Sequence, residues 1–225
     1  ASEGFEYDKY GNLTKAKDTE YSYDLHNRLC EVRKKNGTVV KYSYDPLGQR
    51  IRSEEKIATR GTKVTEFLMS GMIEQARLEL PLPLGEGQGE GGKAMFHTLG
   101  LDLAGSLTET GCVGGVLAST SGNESFNYLY DDNGNIVSTC NQHGEIIAKL
   151  AYSPFGEKLS GPDIPFAFST KAVDASGLSY YGYRFYSAGF ARWLTRDPLG
   201  EESGMHFYSF VRNNALTYYD HIGME

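Results

Sequence analysis

A short motif recurs along this 225-residue chain and restricts the fold more than any other feature. Phe5-Glu6-Tyr7-Asp8 leads to Gly11-Asn12-Leu13, Tyr21-Ser22-Tyr23-Asp24 to Asn27-Arg28-Leu29, and Tyr42-Ser43-Tyr44-Asp45 to Gly48-Gln49-Arg50-Ile51. Further on, Phe126-Asn127-Tyr128 runs into Tyr130-Asp131 and Gly134-Asn135-Ile136, and Leu150-Ala151-Tyr152-Ser153 into Phe155-Gly156-Glu157. Asp8, Asp24 and Asp45 are 16 and 21 residues apart; Asp131 lies 86 residues past Asp45, near four of the larger steps. Self-similarity at such a period signals an array of supersecondary units.

One unit is readable from its residues. Aromatic-x-Tyr alternates with period two, which puts both rings on one face of a strand. Asp followed three residues on by Gly or Asn is turn chemistry: the carboxylate caps the turn and the Gly or Asn accepts positive φ. Each unit is therefore a β-hairpin. A lone hairpin cannot bury its aromatic face, so neighbours must pair and share a core. The expected fold is all-β, a coiled or spiral antiparallel sheet of tandem hairpins with at most two short helices. Sixteen Tyr, 11 Phe and 27 Gly against one Trp agree with many short strands. Residues 65–74 read as a degenerate unit.

Charge and cysteine usage narrow the function classes. The net charge is −7; residues 1–60 sum to +2, and the remainder carries −9. An acidic chain without a basic stripe argues against nucleic acid as a ligand. Cys30, Cys112 and Cys140 are few, odd in number and far apart, and the five histidines lack ligand spacing, so no metal or other cofactor is expected. No run reaches transmembrane length. The insertion near 81–94, Pro81-Leu82-Pro83-Leu84-Gly85 through Gly91-Gly92-Lys93-Ala94, contains a formal GxGxxG and nearly a P-loop. Ala94 stands where Ser or Thr would hold magnesium, Glu86 and Glu90 repel phosphate, and no βαβ pattern surrounds it; a mobile surface loop is expected.

From residue 166 the repeat changes character. Gly177-Leu178, Tyr180-Tyr181-Gly182-Tyr183-Arg184-Phe185-Tyr186, Gly189, Arg192-Trp193-Leu194 and Arg196-Asp197-Pro198-Leu199-Gly200 follow in order, then Phe207-Tyr208, Asn213-Asn214 and Tyr219-Asp220-His221-Ile222-Gly223-Met224. With the repeats, this order resembles the RHS/YD-repeat proteins: YD-repeat hairpins over 1–160 and an RHS repeat-associated core over 161–225. Phe96-His97 through Asp102 and Gly105-Ser106 is similar to the stretch that precedes that core. The resemblance implies a piece of an RHS shell of the polymorphic-toxin type, bacterial and secreted or at the cell surface. Its partners would be an upstream YD-repeat portion of the same protein and a C-terminal effector segment.

The resemblance also implies chemistry. The family core acts as an intramolecular aspartyl protease that severs the segment following its terminal motif. Asp197 matches the Asp of the Arg-Asp-Pro-x-Gly turn, Arg196 its arginine and Asp220 the Asp of the terminal motif. Met224 takes the place of the residue before the cut, so the cleavage site would be Met224–Glu225. His221 and Ala215 replace prolines of the pattern. Two close carboxylates share a proton, one activating water and the other protonating the leaving group. Arg196 would bias the pair or anchor backbone. A different reading needs no catalysis: a cell-surface β scaffold whose tyrosine faces bind carbohydrate or protein.

Overall fold

The computed structural model describes residues 4–57, 61–71, 73–81, 92–107, 109–200 and 206–224. Among them, β1 (Phe5–Tyr7), β2 (Leu13–Ala16), β3 (Thr19–Tyr23), β4 (Leu29–Lys34), β5 (Val39–Tyr44), β6 (Arg50–Ile57), β7 (Gly61–Ser70), β8 (Ile73–Pro81), β9 (Lys93–Leu99), β10 (Val116–Ser121), β11 (Glu124–Tyr130), β12 (Ile136–Cys140) and β13 (Ile146–Lys149) form one sheet in chain order, each antiparallel to the next. Two small sheets follow: β14 (Ala151–Tyr152) with β15 (Lys158–Ser160), and β16 (Ser179–Tyr180), β17 (Phe185–Ser187) and β18 (Arg192–Trp193). The chain is all-β, as the repeat demands. Among the described residues, the three single 3₁₀ turns Phe168–Thr170, Ala188–Phe190 and Val211–Asn213 stand against the at most two short helices expected. The first two lie between very short strands, and Val211–Asn213 follows the last strand.

The repeat encodes two devices. One is the turn. In Asp8, Asp24, Asp45 and Asp131, Oδ1 accepts the amide four residues on, at 2.8–3.0 Å. The backbone closes the same loop, as in Gly48 N to Asp45 O at 3.0 Å, with Gly48 at φ 86. Positive φ is why Gly or Asn sits there. The other device is a bolt between successive units. Tyr23 Oη donates to Leu13 O at 2.8 Å, Tyr44 to Leu29 O at 2.5 Å, Tyr152 to Ile136 O at 2.9 Å, and Tyr130 to Val116 O. The residue that receives each bolt on its carbonyl sends its own apolar side chain into the core, since Leu13, Leu29, Val116 and Ile136 are all buried.

Tyr21, Tyr42 and Tyr128, each two residues before a bolt tyrosine, are buried as well. These tyrosines are therefore spent on the core and on the bolts, whereas Tyr7 of the first unit is exposed. The C-terminal segment packs against the sheet. Leu178, Tyr180, Phe185 and Leu194 pack with Leu13, Leu29, Val32 and Tyr42. Phe166 packs with Val116, Tyr128, Ile136 and Leu150. Phe168, Tyr181, Tyr186, Trp193 and Phe210 form a third, mostly aromatic core. Burying each such ring contributes roughly 1.5–3 kcal/mol.

The insertion is shorter than expected. Pro81 ends β8, and Lys93 and Ala94 open β9 in register with Glu79 and Leu78, so both ends belong to strands. Residues 82–91 lie outside the described residues.

Candidate functional site

β18 ends at Trp193, and the next turn reuses the repeat chemistry. Asp197 Oδ1 accepts Leu199 N at 2.9 Å, Asp197 O accepts Gly200 N at 3.0 Å, and Gly200 has φ 61. The turn therefore consumes one carboxylate oxygen. The other, Oδ2, lies 2.7 Å from Arg184 Nη2, with both side chains buried. This contact is a close ion pair whose geometry falls short of an aligned hydrogen bond.

Asp220 is reached by a left-handed turn at Val211, Arg212 and Asn213, with φ 40, 54 and 60, which sends the chain back into the molecule. Its exposure is 0%. Oδ1 accepts three consecutive amides, Ile222 N at 3.1 Å, Gly223 N at 2.6 Å and Met224 N at 3.2 Å. Oδ2 lies 3.7 Å from the same Arg184 Nη2. Asp197 and Asp220 thus meet at one nitrogen, although 23 residues separate them in sequence.

Arg184 immediately precedes β17 and lies flat over the Trp193 ring, 4.3 Å from its centroid. Nε donates to Gly223 O, and Nη1 donates to Phe207 O at 3.4 Å. Burial pushes its guanidinium below the usual range, while Asp197 and Asp220 act to hold the charge. A planar fork suits this place because it can serve two acids and two carbonyls at once.

Arg196 does not occupy that position. Its guanidinium stacks 4.6 Å from the Phe207 ring, and its aliphatic stem covers Gly11, where a Cβ would come within 2.6 Å of Arg196 Cδ. Tyr208 Oη donates to Gly11 O at 2.7 Å beside it. Arg196 therefore seals the core against the first repeat turn, and Arg184 is the arginine on the acids. Tyr183 beside it is exposed while Phe185 is buried, so the residues flanking Arg184 do not by themselves mark it as buried; once buried, it needs these partners.

A cavity of ≈ 400 Å³ opens beside the cluster, lined by Arg184, Arg196, Asp197 and Pro198 and by the wall turns at Asn27 and Gly48. It gives water a way to the Asp197 side. Met224 follows Gly223 directly, and Glu225 lies outside the described residues. Among the described residues, no group of three or more His, Cys, Asp or Glu is placed to hold a metal ion, and no helix is long and apolar enough to cross a membrane.

No protein-family model matches the chain. Toxin subunit YenC1 of Yersinia entomophaga is 31% identical over 114 residues, covering 45% of this chain and 11% of that protein. Double-stranded DNA deaminase toxin A of Burkholderia cenocepacia (strain H111) is 26% identical over 240 residues, covering 93% of this chain and 16% of that protein. Among solved structures, the crystal structure of TcdB2–TccC3 superposes with a TM-score of 0.78 at 22% identity, over 96% of this chain and 11% of that one. The fold is that of an RHS-type shell. Both of these sequence relatives are named as a toxin or toxin subunit, and the chain spans under a fifth of the length of each.

Proposed function

We propose that this chain is a C-terminal part of an RHS/YD-repeat toxin-type protein, a β-shell scaffold that holds an effector segment and releases it by aspartyl self-cleavage after Met224. One observation carries the reading: Asp197 and Asp220 converge on a buried arginine that also holds the carbonyl of Gly223, next to Met224. The protein would be secreted or at the cell surface. Its partners would be an upstream repeat portion, pairing with the open edge of β1, and the segment that follows Met224.

The chemistry is a hydrolysis. One carboxylate takes a proton from water as its oxygen attacks the Met224 carbonyl carbon. The other, holding the proton that the pair shares, gives it to the departing nitrogen of Glu225 as the C–N bond breaks, leaving a carboxylate on Met224 and an amine on Glu225. Arg184 stabilises charge that builds between the two acids, in a site that burial keeps at low dielectric. The three amides on Asp220 Oδ1 curl residues 222–224 around the acid, so the bond to be cut is presented by the loop that carries the catalytic group. Such tethering replaces the positioning that a separate substrate would need.

The test is a chain extended past Glu225 by a reporter. Mass spectrometry should find a new C-terminus at Met224. Asp197→Asn and Asp220→Asn should leave the extended chain whole. A wild-type extended chain that stays intact would leave only the scaffold, with carbohydrate or a surface receptor as its partner.

A further inference from the structure

Lys171 is the buried charge that the cleavage chemistry leaves unused. It follows the 3₁₀ turn Phe168–Thr170 and is only 7% exposed. Nζ donates to His221 O at 2.9 Å and to Gly111 O at 3.2 Å, and lies 5.2 Å from the centroid of the Tyr181 ring. One ammonium therefore joins three parts of the chain that are distant in sequence.

The surface it completes is tied by hydrogen bonds and meets the terminal loop closely at Gly111. Asp102 accepts Ala104 N at 3.1 Å, Ser106 N at 3.1 Å and Thr110 N at 2.8 Å, fixing the loop that ends at Gly111. Gly114 N donates to Thr170 Oγ1 at 2.8 Å, tying that loop to the turn before Lys171. Gly111 has φ 58, and a Cβ there would lie 2.6 Å from His221 O. The carbonyl of His221 thus sits in space that any larger residue would fill. The carbonyl oxygens of Gly111 and His221 share one donor, the Lys171 ammonium.

We propose that Lys171 is a positioning residue for self-cleavage: its ammonium and the bare face of Gly111 dock the His221 carbonyl and so hold the terminal loop against Arg184. This rests on the self-cleavage reading above. The loop is pinned at two points just after Asp220, by Lys171 through His221 O and by Arg184 through Gly223 O.

The dock should be sensitive to alkali. Burial lowers the Lys171 ammonium to about 8, against the opposing pull of Asp220 and Cys112. Arg50 and Glu74 line the same small cavity as Lys171 and Cys112 and complete the charged groups facing it. Above pH 8 the ammonium loses its charge and the clamp weakens.

The experiment uses the reporter-extended chain across pH 6–10. Wild type should cut more slowly above pH 8. Lys171→Arg should keep the neutral rate within about threefold and lose the alkaline fall, because arginine stays charged. Cys112→Ser should keep the fall, which separates the two neighbours. Lys171→Met and Gly111→Ala should slow cleavage about 100-fold at pH 7, the scale of a small misplacement of reacting groups. Hydrogen exchange of the unextended chain gives a readout apart from cleavage: the amides of 222–224 should exchange at least about tenfold faster in both variants. Should Lys171→Met not fold, the Lys171→Arg profile decides. If Lys171→Met cuts like wild type while Asp197→Asn does not, self-cleavage stands and the dock is wrong. If wild type never cuts, the self-cleavage reading falls and positioning falls with it. Unchanged exchange in Gly111→Ala would overturn the dock in either case.

Discussion

The repeat turns and the core turn at Asp197 are built alike and differ in the fate of one oxygen. In both, Oδ1 accepts backbone amides and a left-handed residue closes the loop. In the repeats the second oxygen stays at home: Asp8 Oδ2 takes Asn12 Nδ2 at 2.8 Å, Asp24 Oδ2 takes Arg28 Nε at 2.7 Å, and Asp131 Oδ2 takes Asn135 Nδ2 at 2.9 Å. The chain itself shows that the turn does not need this oxygen. Asn141 closes the same loop through its amide oxygen at 2.9 and 3.1 Å, and Ser153 closes it through a hydroxyl at 3.1 Å. At Asp197 the spare oxygen goes into the interior, to Arg184. A charge that is dispensable for the turn is thus retained and buried, which is the mark of a second role.

The largest expected effect breaks this contrast chemically. Asp197→Asn keeps the turn, as Asn141 does, and removes only the charge. Cleavage of the extended chain should fall by ~10²–10⁴-fold, the range of a lost general acid or base, with an unchanged near-ultraviolet circular dichroism spectrum. Asp220→Asn should do the same. A wild-type rate in Asp197→Asn would return that turn to the ordinary class.

Next comes the arginine. Arg184→Met strands two carboxylates in the interior and should cost roughly 3–5 kcal/mol in urea unfolding. The matching change in a repeat turn, Arg28→Met beside the partly exposed Asp24, should cost under ~1 kcal/mol. Equal losses would erase the distinction between the two regions.

A third buried acid sharpens it from another side. Glu74 in the wall lies 2.5 Å from Arg77 Nε and 3.1 Å from His97 Nε2, and His97 Nδ1 meets Ser119 Oγ at 2.8 Å. Burial alone would raise the Glu74 carboxyl, but Arg77 and His97 outweigh it and bring it from 4.5 to about 2. With the folded value below the unfolded one, its stabilisation is complete above pH 4.5 and is lost as the pH falls toward 2. The shift corresponds to about 3 kcal/mol. Urea midpoints at pH 5, 3.5 and 2.5 should fall more steeply in wild type than in Glu74→Gln; parallel lines would contradict the assignment. Glu74 is one acid held ionised among strand neighbours, whereas Asp197 and Asp220 are two acids sharing one cation.

What the sequence made legible follows from range. Tyr21, Tyr23 and Asp24 act within their own hairpin or on the one before, so the spacing of the motif fixed strands, turns and the inward face. Asp197 was visible because its turn is local. Arg184 was not, because its partners at 197, 207, 220 and 223 come together only after several reversals, two of them through left-handed residues that no periodicity signals. Arg196 misled for a plain reason: adjacency to Asp197 does not reveal that its side chain is taken up by Phe207 and Gly11, which are distant in sequence. The Ser119–His97 pair depends on the β9–β10 register, which holds Ser119 opposite His97. A loop separates the two strands, and nothing in the motif sets that register.

The smallest expected effect tests the premise on which the others rest, that a repeat Asp is needed for its oxygen and not for its charge. Asp45 is the cleanest position, since Oδ1 holds Gln49 N at 2.9 Å and the backbone closes the loop at both 2.9 and 3.0 Å. Asp45→Ala removes the acceptor and should cost about 1 kcal/mol, the net worth of one such hydrogen bond. Asp45→Asn keeps an acceptor in the same place and should stay within about 0.5 kcal/mol of wild type. Paired urea titrations at pH 7 measure the difference directly. If Asn at 45 proved as costly as Ala, charge would matter in every unit of the repeat. The loss of cleavage in Asp197→Asn could then reflect a broken turn, and only Asp220→Asn and Arg184→Met would remain to separate chemistry from folding.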